Sequence, residues 1–168
     1  EVAKFGTTTA KMNKFAQTFL NSTDRKEKNK MIRKIEKYEE ITDRVETEIA
    51  NYLGKVATLE MSKDTSLKMR GMLNLTSDLE RVGDIFYQMS KTLERKDESK
   101  IYFTPEQRNG INQMFKLIEE AVEIMNNNLN AEYGSISLDQ AINKEREINQ
   151  CRNELRELHH EQIGEGNN

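Results

Sequence analysis

Apolar residues recur along this chain in alternating steps of three and four, the spacing of a stripe along an α-helix. In residues 2–20 the stripe is Phe5, Met12, Phe15, Phe19 and Leu20, weakened at its start by Gly6 and the Thr7-Thr8-Thr9 run. Asn21-Ser22-Thr23-Asp24 supplies a turn and candidate N-caps. A second, longer helix carries Met31, Ile35, Tyr38, Ile41, Val45, Ile49, Tyr52, Val56 and Leu59 over about four heptads. After the polar turn at residues 62–66, a third follows with Met72, Leu75, Leu79, Val82, Phe86, Met89 and Leu93. Thr104-Pro105-Glu106-Gln107 predicts a fourth helix with Thr as N-cap, Pro at the first helical position and Gln completing a capping box. A loop around residues 133–135 precedes a fifth, capped by Ser137 with Gln140; its face is Leu138, Ile142, Ile148, Cys151, Leu155 and Leu158, and residues 163–168 read as a fraying end. The pattern predicts an all-α fold with five helices.

Polar positions beside these stripes are unusual. Glu80 and Asp84 stand one helical turn apart around Gly83, and Glu39 and Asp43 repeat that spacing on the second helix. Like charges four apart destabilise a helix by roughly 0.2–0.5 kcal/mol, and an interior Gly costs about 1 kcal/mol relative to Ala. Glu39, Asp43 and Glu46 flank the apolar stripe. If helices two and three pack antiparallel through their seams, Glu39, Asp43, Glu80 and Asp84 share one groove and form an all-oxygen site for a hard cation. The competing account is that carboxylates on helices serve solvation or ion pairing. It fits poorly here, because Arg81 is the single cation three or four residues from either member of the Glu80/Asp84 pair, and Asp43 has none at that spacing.

Composition narrows the classes. The chain has 168 residues, 33% of them charged and 35% hydrophobic, with one Pro and no Trp, as expected of long helices with narrow apolar stripes. A net charge of −3, with no basic stripe interleaved with aromatics, gives no electrostatic case for nucleic acid. No apolar run approaches the roughly 20 residues that span a bilayer. Cys151 has no partner for an intrachain disulfide and suits a small buried position in a reducing compartment. Most of the eight Met residues fall on core stripes, so packing accounts for them. A carboxylate-bridged dimetal enzyme needs Glu-x-x-His on two helices; Glu157 and His160 supply one. No Gly-rich phosphate loop or nucleophile-base arrangement is present, so no enzymatic activity is expected.

A shift of 106 residues lays Glu145 over Glu39 and Asn149 over Asp43, with Phe5 over Ile111 and Ile49 over Leu155. The expected organisation is one complete three-helix repeat, residues 1–99, followed by a truncated second repeat of two helices, residues 100–168. Apolar side chains of the fourth and fifth helices are then expected to stay exposed, ready for another chain or a second copy in a homo-oligomer.

Residues 79–84, Leu-Glu-Arg-Val-Gly-Asp, resemble the hallmark of PhoU domains, and residues 39–49 resemble that family's preceding-helix motif. The resemblance covers residues 4–95 as one repeat and 103–158 as two helices of another. It implies a PhoU-like helical bundle with a regulatory role in phosphate uptake. It further implies a divalent metal (iron, manganese, magnesium or zinc) held through Glu39, Asp43, Glu80 and Asp84, with Glu46 and Glu145 as weaker candidates. Asn149, at the second repeat's Asp position, departs from the pattern. Partners implied are a phosphate transporter membrane domain or a signalling protein. Residues 41–84 are most similar to PhoU-like domains fused behind sodium/phosphate cotransporter membrane domains, which implies a fragment, beginning at Glu1, of a larger membrane protein, at the cytoplasmic face. The alternative is a structural or adaptor bundle acting through protein contacts without metal.

Overall fold

The computed structural model describes residues 2–132 and 135–164, with side chains from Phe5 onward. Five helices, and no strand among the described residues, make the fold all-α: α1 (Val2–Asn21), α2 (Arg25–Val56), α3 (Lys63–Glu98), α4 (Pro105–Asn130) and α5 (Asp139–Gly164). The chain divides into two compact units, Glu1–Glu94 and Arg95–Asn168. The loop at residues 133–134 and the expected fraying at 165–168 lie outside the described residues.

In the first unit, Asp24 caps α2 by accepting from Lys26 N at 3.0 Å. The short link folds α2 back along α1. Phe19, Met31 and Ile32 pack there, covered by Phe15 and by Leu93 of α3, and the Phe15 ring meets Tyr38 edge-on at 5.3 Å. Met12 and Ile35 are fully buried further along. The α1 start is helical despite its threonines, because Thr9 buries its hydroxyl by donating to Gly6 O at 2.8 Å. Lys91 on α3 donates to Glu36 on α2 at 2.6 Å, a bond that holds its ammonium above the usual lysine range.

Two expected core stripes shift. On α3 the buried line is Thr76, Leu79, Gly83, Phe86 and Ser90; Met72 is 40% exposed, and Val82 and Met89 are half-buried. The inward positions at 76, 83 and 90 carry small residues at a seven-residue spacing, so α3 turns its narrow flank inward. The second shift is at the far end of α2 and the start of α3, where Tyr52 (67%), Leu59 and Leu67 are exposed. The cause is length. At about 1.5 Å per residue, the 20 residues of α1 run out before the 32 of α2 and 36 of α3.

The second unit begins with the last turn of α3. Lys100 N donates to Asp97 O and Ile101 N to Lys96 O, the pair of bonds that closes a helix through a left-handed residue. That residue is Lys100, at φ 56°. Since a left-handed conformation costs an L-residue roughly 1–2 kcal/mol that Gly avoids, Lys100→Gly is expected to stabilise the unit by about 0.5–1 kcal/mol in urea unfolding. The Thr104 capping box is present in both halves. The one expected at Ser137 is not: α5 starts at Asp139, whose N–H donates to Ser137 Oγ at 3.3 Å. Lys144 on α5 donates to Glu120 on α4 at 2.6 Å, and Gly110 lies so close under Leu155 that a Cβ there would overlap its side chain. These pairs set α4 and α5 antiparallel. Cys151 is the buried residue of α5, as expected, while Leu138, Ile142 and Leu158, on the apolar stripe of the pattern, are exposed, as expected of apolar side chains in this helix pair.

Candidate metal centre

The first unit gathers carboxylates of α2 and α3 around a close contact between Thr42 and Gly83. Thr42 is fully buried, and its hydroxyl donates to Glu39 O at 2.8 Å, fixing the side chain. Opposite it is Gly83, where an added Cβ would lie 2.9 Å from Thr42 Oγ1 and 3.5 Å from Thr42 Cβ. The close approach therefore depends on having no side chain at residue 83. Each member of this contact is bracketed by acids: Glu39 and Asp43 beside Thr42, Glu80 and Asp84 beside Gly83.

Glu39, Asp43 and Asp84 each offer a carboxylate oxygen within 4.8 Å of the others, drawn from both helices. Glu80 lies outside that triad but in the same field. Burial, then the charges of Asp84, Glu46 and Asp43, raises its carboxyl above the usual range, and a hydrogen bond to Asp84 adds to this. Glu39 is raised by burial first, then by Asp43 and Asp84. Among the described residues no Lys or Arg forms an ion pair with any of these five carboxylates. Glu145 is in the other unit, exposed on α5.

The donor set is chemically suited to a hard divalent cation: oxygen ligands, net negative charge, partial exposure and no competing ammonium or guanidinium. Alone, the cluster is electrostatically uncomfortable. Mutual repulsion, after burial, is part of what raises the Glu39 and Glu80 carboxyls, and a dication would relieve it.

Net charge concealed a different feature. Lys26, Lys30, Arg33 and Lys37 line one side of α2, joined by Lys34, with no carboxylate among the lining residues. Their spacing of four, three and four was legible, but averaging over the interspersed acids of the whole chain hid it.

Comparison with protein families matches residues 2–93 to the PhoU domain. Neither the curated proteins nor the solved structures gave a match.

Proposed function

Because the chain belongs to the PhoU domain family, whose members are regulatory proteins of phosphate homeostasis, we propose that it is a non-enzymatic regulator of phosphate transport with a divalent cation as its structural ligand. The single observation that supports the cation is the convergence of Glu39, Asp43 and Asp84 from two helices without a basic counter-charge. Glu80 and Glu46 complete the oxygen-rich surroundings. A cation held there would supply positive charge that offsets the repulsion and ties α2 to α3. Regulation then passes through protein contacts, with a phosphate transporter membrane domain or its signalling protein as partner at the cytoplasmic face. None of the described helices is long and apolar enough to cross a membrane, and the larger protein we propose for it is of the sodium/phosphate cotransporter type.

The functional test is phosphate uptake in the native host. With Glu39, Asp43, Glu80 and Asp84 all replaced by their amides, radiolabelled phosphate uptake should no longer fall when cells move from scarce to abundant phosphate. An unchanged fall, with the variant present at native abundance, would contradict a regulatory role for the cluster and favour a bundle acting through protein contacts alone.

A further inference from the structure

The second unit carries a groove of about 620 Å³ along the seam of α4 and α5. Ile111 and Met114 line it from α4, Leu155 and Leu158 from α5, and Ile101 and Phe103 from the link after α3. This is not an incidental dent in the surface. The left-handed Lys100 turns the chain so that residues 101–103 wall one end, and Gly110 lets Leu155 settle deep against α4. Gln107 donates to Gln162 across the helix pair at 3.1 Å. Yet the apolar lining stays open: Ile101 is 58% exposed and Leu158 38%. Open apolar surface of this kind on an otherwise highly charged chain marks a contact site.

The charged lining has one sign. Lys96, Arg152 and Arg156 border the apolar floor, and no carboxylate lines the groove. Lys96 lies 4.1 Å over the Phe103 ring, and Arg152 donates to the neutral side chain of Asn153. At the 106-residue offset Arg152 stands where Glu46 stands in the first unit, and Asn149 where Asp43 stands. With Lys96, Arg152 and Arg156 on its border, the groove suits an anionic partner.

We infer that this groove is a docking site for an amphipathic helix whose apolar stripe is flanked by Asp and Glu. A helix is the occupant that fits. A seam between two antiparallel helices accepts the side-chain ridge of a third, with apolar anchors at three- and four-residue spacing, and acidic flanks would meet Arg152, Arg156 and Lys96. A bilayer surface is flat and does not enter a concave seam. The cationic rim sets the sign of the partner and the apolar floor provides most of the contact.

The test uses two fluorescein-labelled 20-residue peptides with the same leucine stripe, one flanked by Glu and one by Lys, titrated with the whole chain in low salt. The acidic peptide should bind at least tenfold more tightly than the basic one and weaken as salt rises. Arg152→Glu with Arg156→Glu, at exposed positions and checked for unchanged helicity by circular dichroism, should reverse the preference. Equal affinity for both peptides, absence of binding by either, or retention of the acidic preference in the reversed variant would overturn the proposal. So would self-association of the chain through this groove, seen as a sedimenting dimer that Leu158→Glu dissociates, or preferential capture by anionic vesicles.

Discussion

Gly83→Ala will destabilise the first unit by up to about 2 kcal/mol, against the direction that helix propensity alone dictates. An Ala in place of an interior Gly favours a helix by about 1 kcal/mol. Here the new methyl meets Thr42 Oγ1 at 2.9 Å. That hydroxyl cannot turn aside cheaply, since Thr is stiff at χ1 and its bond to Glu39 O holds it. Overpacking a tight contact costs about 1–3 kcal/mol, so the helices must separate, and the melting temperature of a domain of this size should fall by several degrees, at roughly 4–8 °C per kcal/mol. Gly71→Ala is the control. It lies on the same helix with nothing within 4 Å of its Cβ position, and it should stabilise by up to about 1 kcal/mol. Thr42→Ala should rescue Gly83→Ala, because the remaining 3.5 Å approach to Thr42 Cβ is ordinary contact. A denaturant series on the single variants and the pair gives the coupling directly. Equal and favourable effects of Ala at residues 71 and 83 would show that the approach of α2 and α3 is not limited by residue 83.

The carboxylate cluster should change sign with its ligand. Without divalent cation, Glu39→Gln combined with Asp84→Asn is expected to stabilise the unit at pH 7, because it removes repulsion within the triad. The pH dependence follows from the raised carboxyls of Glu39 and Glu80. The folded state binds more protons than the unfolded one in the window above the ordinary value of 4.5, so stability falls as pH rises through it. The advantage of the variant should therefore fade below about pH 4.5, where both proteins carry protonated acids. With saturating manganese the order inverts. A ligand at one hundred times its dissociation constant stabilises the folded form by about 2.7 kcal/mol, a gain that the native protein shows and the variant lacks. Thermal melts at pH 4 and pH 7, with and without manganese, read all of these effects.

Much of this arrangement was legible in the sequence, and the part that was not has a physical reason. Three-four periodicity places all five helices, and Thr104-Pro105 with Gln107 gives the α4 cap because capping is chemistry local to four residues. The Glu39/Asp43 and Glu80/Asp84 spacings point to one groove because α-helical geometry fixes which residues share a side. Periodicity does not fix which flank of a stripe turns inward. On α3 hydrophobicity favours Met72 and Met89, but Thr76, Gly83 and Ser90 are buried, since close approach selects small volume over apolar surface. The same limit hid the purpose of Gly83, whose cost to the helix is visible in the sequence and whose close contact with Thr42 is not. The exposure of Leu138, just before α5, and of Ile142 on it agrees with the expectation drawn from the 106-residue repeat, since no further helix packs on them among the described residues.

The account stands on the claim that tight packing at Gly83 builds an oxygen site for a divalent cation. Isothermal titration of manganese into chelator-treated protein, side by side with Glu39→Gln/Asp84→Asn and with Gly83→Ala, tests it most directly. The native chain should bind with a saturable heat that vanishes in the first variant and weakens at least tenfold in the second, although Gly83→Ala removes no ligand. Absence of saturable binding by the native chain, or binding that survives loss of Glu39 and Asp84, would contradict the claim.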